Sequence, residues 1–243
     1  MTLTDDRTVR SLELNGRIDD SAGKKLTINR AFDGDETGEL IVKTLANIAG
    51  IGATYYNKFI TVGKIGLTQK PDTYYLRNYT EGDKIWDEAD WQNWVVTDNL
   101  NQNVYFYKNG NWGYVPGTDS GDNVVISEGT YVITRQNYTL GNLTVNGYLY
   151  LDDGDNGVVM TVNELRGDNK ATINVLNDQS YVSVSDVFKG VGRIICRQET
   201  PAGQAFYLLN DGEWNDYTRW STNESKYINV DKRYPGSDPN VKN

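Results

Sequence analysis

Three groups of side chains in this sequence could do chemistry: clustered acids, tryptophans and a lone cysteine. Paired carboxylates serve as acid and base in glycoside hydrolysis, clustered carboxylates bind calcium, and indole rings stack on sugars. The sequence contains no histidine, so the commonest general base and the Ser-His and Cys-His nucleophile pairs are excluded. The acids, the tryptophans and the cysteine are therefore considered in turn.

The densest acidic turn spans residues 152–157, with the sequence Asp-Asp-Gly-Asp-Asn-Gly. Calcium prefers clustered carboxylate and carbonyl oxygens, but the spacing does not fit an EF-hand, which needs a bidentate Glu at its twelfth position. We therefore favour a solvated turn between two strands over a calcium site, and we expect no metal or other cofactor.

Asp119, Asp122 and Asp238 are the best candidates for a catalytic acid and base. All three lie in Pro-Gly or Gly-Asp turns, where aspartate commonly accepts hydrogen bonds from backbone amides. The structural interpretation is favoured, so no catalytic residue is predicted and the chain is not expected to be an enzyme.

Four tryptophans form a candidate carbohydrate-binding platform: Trp91, Trp94, Trp214 and Trp220. Exposed indole rings stack on sugar rings. The alternative is that these residues plug the end of a repeat structure and shield its first coil. Because the Trp-rich segments precede both strand series, we favour the plug.

The lone cysteine, Cys196, cannot form an internal disulfide. It stands in an apolar run over residues 193–197, which favours a buried strand residue over a reactive thiol.

The net charge is −9, from 24 Lys and Arg against 33 Asp and Glu. A chain this acidic repels a phosphate backbone, which argues against nucleic-acid binding.

The N-terminus has neither the basic nor the apolar region of a secretion signal, and no apolar stretch approaches the roughly 20 residues of a membrane span. We expect a protein made without secretion and not inserted in a membrane.

From residue 123 onward, short apolar strands alternate with Gly, Asn or Asp turns. The predicted strands are 123–126, 131–133, 143–145, 148–151, 158–162, 171–175 and 181–184. We therefore predict a mainly all-β protein. Coils of a parallel β-helix or hairpins of a sandwich both fit, and the short strands with repeated inward Val, Ile and Leu favour the β-solenoid. Earlier in the chain, residues 105–112 predict a hairpin around Asn109-Gly110. Residues 36–49 predict one helix, although 39–42 would also suit a strand.

Two stretches of the sequence resemble each other, residues 114–124 and 233–241. Both contain Pro-Gly-x-Asp followed by Asn-Val, and a Trp-rich segment precedes each. They predict three regions: an N-terminal attachment region (1–80), a Trp-rich cap with a solenoid module (81–199), and the start of a second, incomplete module (200–243). We accordingly expect either a longer natural protein or a partner chain that completes it.

These patterns resemble the β-helical modules of large surface proteins from Bacteroidetes-type bacteria. The resemblance rests on Trp-Asn-Asp-x₃-Trp-Ser (214–221), Pro-Gly-x-Asp-x-Asn-Val (235–241) and the Leu-Thr-Val-Asn-Gly-x-Leu strand (143–149), and covers about 86–185 and 205–243. Such relatives carry signal peptides, whereas phages of such hosts use similar solenoids in fibres and spikes without one. The resemblance therefore implies a virion protein that resembles the particle-attached N-terminal part of a phage fibre or spike.

The expected function is thus that of a virion structural protein, a tail or head fibre, spike or connector subunit. Its expected partners are other virion proteins and copies of itself, with a homotrimer as the first guess. Two alternatives stay open: a carbohydrate-binding adhesin module that contacts a host glycan, and the N-terminal part of a polysaccharide-degrading tailspike.

Overall fold

The structure, a computed structural model, is an all-β protein arranged as a β-solenoid of about seven turns. It describes residues 1–49, 63–76, 84–87, 90–97, 103–152, 156–175, 179–196, 207–208, 213–216 and 219–221. Strands make up 55% of the structure and helical turns 4%. The predicted all-β class is confirmed, and so is the choice of a solenoid over a sandwich.

The strands are short, as the turn-rich sequence predicts. They are β1 (Arg7–Leu14), β2 (Arg17–Asp20), β3 (Leu26–Gly34), β4 (Glu39–Val42), β5 (Ile48–Ala49), β6 (Lys64–Leu67), β7 (Thr73–Leu76), β8 (Lys84–Ile85), β9 (Trp94–Val95), β10 (Val104–Lys108), β11 (Asn111–Trp112), β12 (Asn123–Ile126), β13 (Tyr131–Thr134), β14 (Tyr138–Val145), β15 (Tyr148–Leu151), β16 (Val159–Gly167), β17 (Thr172–Val175), β18 (Tyr181–Lys189), β19 (Arg193–Cys196), β20 (Tyr207–Leu208) and β21 (Trp220–Ser221). Cys196 ends β19, so its predicted place in a strand is confirmed, while its side chain lies outside the described set.

The helix predicted over residues 36–49 is wrong. The segment forms β4, a 3₁₀ turn at Leu45–Asn47 and β5. Pairing decides the outcome, because β4 lies between β2 and β6 and all three of its apolar residues are buried. The backbone N–H and Oγ1 of Thr44 both donate to Asn47 Oδ1, at 3.0 and 2.8 Å, which closes a single tight turn. Sheet pairing has overridden the helical spacing of the apolar residues.

The chain divides into two compact units. Unit 1 comprises Met1–Tyr74 and Trp94–Tyr114, and unit 2 comprises Tyr75–Asn93 and Val115–Asn243. The predicted region boundaries at residues 80 and 199 stay predictions.

Unit 1 contains two parallel sheets. One has the order β1-β3-β5, and in the other β2, β4, β6 and β10 follow one another, with β11 added antiparallel at the end. The β10–β11 connection is the predicted hairpin: Asn109 and Gly110 both have positive φ, 52° and 87°. Two positive φ values define a type I′ turn, the turn that Asn-Gly favours, so this prediction is confirmed.

Unit 2 stacks its strands in two parallel series, β12-β14-β16-β18 and β8-β13-β15-β17-β19. We call one strand from each series, taken together, a rung. Inward positions line up in columns; Val132, Leu149 and Ile173, for example, are in register and fully buried. Continuous Val, Ile and Leu columns supply the core, since each rung buries its inward residues only by packing on its neighbours.

Candidate functional site

A cluster of five residues lies beside β8, the first strand of the second series in unit 2; we call Trp86, Pro116, Gly117, Asp122 and Tyr138 the N-terminal cluster. Trp86 directly follows β8 and is fully buried. Its indole Nε1 donates to the carbonyl oxygen of Pro116 at 2.9 Å, and its ring stacks on Tyr138 with centroids 4.8 Å apart. The Tyr138 hydroxyl donates back to the Trp86 carbonyl at 2.7 Å. The indole N–H and the phenol hydroxyl are therefore both hydrogen-bonded inside the protein, as buried polar groups require.

The Pro-Gly turn fits against this aromatic pair. Gly117 has φ +96°, and a Cβ there would lie 2.4 Å from Cδ1 of Tyr138, so only glycine fits. The Gly117 amide donates to Oδ2 of Asp122 at 2.9 Å, and Asp122 is buried. Turn, acid and aromatic pair thus form one connected unit, which gives a physical meaning to the Trp…Pro-Gly…Asp pattern.

The three acids considered for catalysis fall into different situations. Asp122 uses its carboxylate to hold the Pro-Gly turn, and its amide donates to the Asp119 carbonyl at 3.1 Å. This contact matches the turn role that the sequence favours for Asp122. Asp238, and with it the second Pro-Gly motif, lies outside the described residues.

The first pair of predicted platform tryptophans is divided between the units. Trp91 begins a 3₁₀ turn (Trp91–Asn93) and is half-buried, whereas Trp94 in β9 is only 2% exposed. Asp90 shapes this turn: its carbonyl accepts from the Asn93 amide and its Oδ2 accepts from the Ile85 amide at 3.1 Å. Burial leaves neither face of the Trp94 ring open to a sugar.

The second pair belongs to an aromatic group that we call the C-terminal cluster, Phe188, Trp214 and Trp220. The centroids of Trp214 and Trp220 are 4.9 Å apart, and Phe188 of β18 meets Trp214 edge-on at 4.7 Å. The Trp220 indole N–H donates to the Trp214 carbonyl at 2.9 Å. Trp220 is 1% exposed and Trp214 is 38% exposed. Only the Trp214 ring of this pair offers substantial surface to a ligand.

The four predicted platform residues therefore do not form one exposed surface. Trp94 and Trp220 are core residues, and Trp91 and Trp214 are the two with accessible rings. Trp220 packs on Phe188 of β18, the last strand of its series, with centroids 6.3 Å apart. This is the kind of contact expected of a plug. Carbohydrate binding by the accessible rings stays a prediction.

Sequence reasoning missed a ladder of tyrosines on the outward face of the second strand series. Tyr131 and Tyr148 are in register, with ring centroids 4.2 Å apart and planes only 2° from parallel. Each tyrosine is the first residue of its strand. In a solenoid whose strands are in register, residues at the same position of successive strands lie in one column, so this shared position was the signal in the sequence. The stacking uses the facing sides of the two rings, so the ladder is not a flat platform for sugars.

The outward face of unit 1 carries charges instead. Arg17, Glu39 and Lys64 are in register on β2, β4 and β6, and each cation lies 3.7 Å from the Glu39 carboxylate. Arg17 also donates to the Tyr107 hydroxyl at 2.9 Å. Hydrogen bonds to Asp19 and to Tyr107 raise the pKa of Arg17. These alternating charges form an ion ladder at the surface, which favours the observed register of β2, β4 and β6.

No metal centre emerges from the geometry. Within the part of the chain that the structure describes, no three His, Cys, Asp or Glu side chains converge to hold an ion. The acidic turn at 152–157 falls partly outside that part, because residues 153–155 are not described.

The described part of the chain also contains no helix with the length and hydropathy that a membrane crossing requires. Comparison of the chain with known protein families, with curated proteins and with solved structures finds no match.

Proposed function

We propose that this protein is a structural subunit of a virion: a fibre, spike or connector attached to the particle through residues 1–80. The observation that carries the proposal is the in-register stack of parallel rungs with unbroken apolar columns. Such a stack has local contacts and a repeating hydrogen-bond ladder, properties that suit a rigid, protease-resistant shaft. The resemblance of the Pro-Gly and Leu-Thr-Val motifs to β-helical modules supports the same function.

The outward tyrosines support assembly from identical chains. Tyr131, Tyr148 and Tyr150 lie on one face, and Tyr131 is 39% exposed. Tyrosine is enriched at protein interfaces because it combines a large apolar ring with a hydroxyl. A homo-oligomer, with a trimer as the first expectation, would bury this face along the shaft.

The proposal is tested by oligomeric state and by location. Sedimentation equilibrium of the purified chain at micromolar concentration is expected to give a trimer, and Tyr131→Lys is expected to shift it toward monomer. The matched control is Thr161→Lys, an outward residue of the other strand series.

Immunogold labelling of intact particles should mark a projection or its base. A monomer in solution together with unlabelled particles would refute the proposal.

A second candidate function, carbohydrate binding in an adhesin, is favoured by the exposed ring of Trp214. A glycan array is the direct test. Binding that Trp214→Ala abolishes and Trp91→Ala preserves would assign adhesion to the C-terminal cluster, whereas an array without hits would leave Trp214 as a plug residue only.

A further inference from the structure

Asp20 places a carboxylate in an apolar, inward column of unit 1. In the β2–β4–β6 register, Asp20 is aligned with Val42, and Val42 with Leu67. Asp20 is 0% exposed, like Val42. Inward positions of parallel sheets are normally apolar, because a buried charge loses its hydration. The column therefore contains the residue type least suited to it.

The two carboxylate oxygens of Asp20 have different surroundings. Oδ1 accepts a hydrogen bond from the Lys24 amide at 2.8 Å, across the turn that follows β2. Oδ2 is buried and has no hydrogen-bond partner among the residues that the structure describes. An ionised carboxylate can only accept, so at Oδ2 its charge is uncompensated. A proton on Oδ2 would remove that charge and leave the bond from Lys24 to Oδ1 intact.

The charges that act on Asp20 are those of Asp6, Asp19 and Lys24, while β4 and β6 present Val42 and Leu67 to its column. On the other side of β2 runs the segment Met1–Leu3, whose Leu3 is buried and whose terminal ammonium group donates to the Arg17 carbonyl. Burial is the main cause that raises the pKa of Asp20, and the charges of Asp6 and Asp19 add to it. The amide bond and the charge of Lys24 oppose this effect without cancelling it.

We propose that Asp20 makes the β2–β4–β6 sheet of unit 1 respond to acidity: the buried charge weakens the sheet at neutral pH, and the sheet is strengthened when the carboxyl takes up a proton. This goes beyond a structural role, since it gives the N-terminal region a built-in response to its surroundings. A group whose pKa is higher in the folded than in the unfolded chain binds more protons when folded, so its contribution to stability rises as pH falls through that range.

Neighbouring acids change stability with pH in the opposite direction. The effect of Asp20 must therefore be measured as the difference between the wild type and a variant at position 20. Burial opposes the shift at Asp19, but hydrogen bonds from Arg17 and Ser21 prevail and lower its pKa. Hydrogen bonds from Thr37 likewise lower the pKa of Asp35. Both groups lose their contribution to stability as pH falls. Asp19 therefore provides a matched control one residue away.

The first test is an NMR titration of the Asp20 carboxyl carbon in the full chain, assigned with Asp20→Asn. The proposal expects a midpoint above the ordinary aspartate value of about 3.9. A midpoint at or below that value overturns it.

The second test follows the urea midpoint of wild type, Asp20→Asn and Asp19→Asn between pH 7 and pH 3, a range that reaches below the ordinary aspartate pKa of about 3.9. As pH falls, the urea midpoint of the wild type should rise relative to that of Asp20→Asn and fall relative to that of Asp19→Asn. The readout is how the difference in urea midpoint between wild type and variant changes with pH. The test therefore holds even if the asparagine at position 20 changes stability by a constant amount at every pH. A wild-type advantage over Asp20→Asn that is constant, or that shrinks with acidification, overturns the proposal.

Discussion

The two ends of the strand series in unit 2 differ in how they are closed. At the start, Trp86 is buried within the N-terminal cluster, and β12 has β7 beside it in the sheet, with the Ser127 amide donating to the Leu76 carbonyl at 3.3 Å. The inward residues Val124 and Ile126 of β12 are fully buried. At the other end, Val182 and Val184 of β18 are only half-buried, although they are in register with Met160 and Val162 of β16, which are fully buried. Similar residues in the same columns therefore differ in burial because of their place in the stack.

This difference shows what a rung needs. An inner rung buries its inward side chains between two neighbours, whereas the last rung has a strand neighbour on one side only among the described strands. Trp214 and Trp220 pack on Phe188 but leave Val182 and Val184 half-exposed. At the start, two features accompany the full burial: the neighbouring strand β7 beside β12, and the hydrogen-bonded aromatic residues and turn of the N-terminal cluster beside β8.

The largest expected effect is at the closed end. Trp86→Ala removes a fully buried ring, its stacking on Tyr138 and the hydrogen bond from the indole N–H to the Pro116 carbonyl. We expect a loss of about 3–5 kcal/mol in the stability of the rungs of unit 2, measured by hydrogen exchange of β12–β16 amides. The control Trp214→Ala, at a ring that is 38% exposed, should cost β12–β16 no more than about 1 kcal/mol. Equal losses in the two variants would remove the distinction between the ends.

The second prediction tests the turn of the N-terminal cluster. Gly117→Ala must adopt a left-handed backbone and place a methyl group against Tyr138. We expect a cost of about 2–4 kcal/mol, from about 1–2 for the backbone and the rest from overpacking. Urea denaturation measures it.

Gly121→Ala in the same loop is the matched control, because a Cβ at Gly121 meets nothing within 4 Å. It should be neutral or stabilising by a few tenths of a kcal/mol. Wild-type stability in Gly117→Ala would mean that the turn does not pack on Tyr138 as described.

Residue patterns predicted the parts of this fold that depend on local chemistry. Short Val- and Ile-rich runs between Gly and Asn turns specified the solenoid strands, and Asn109-Gly110 specified its hairpin, because each signal acts within a few residues. The helix predicted over 36–49 failed because β2 and β6 pair with β4 from distant parts of the chain. The roles of Trp86 and Asp20 were missed for the same reason: only the register across rungs shows which side chains point inward.

The finest comparison is between two valines in one column, Val162 and Val184, which are in register on β16 and β18. Val→Ala removes the same two methyl groups at each position, so side-chain chemistry is held constant. At the fully buried Val162 we expect a cost of about 1.5–2.5 kcal/mol, from lost transfer energy and the cavity left behind. At the half-buried Val184 the cost should be about half as large, since part of the side chain already meets solvent.

Urea midpoints of the two variants, at unchanged m-value, give the ratio of these costs. A cost at Val184 equal to that at Val162 would mean that β18 is covered in solution as fully as β16, and the contrast between the two ends would disappear. The expected inequality would instead show that β18 is less protected than β16. A strand paired with the side of β18 that has no neighbour among the described strands would then increase stability by burying the remaining surface of Val182 and Val184.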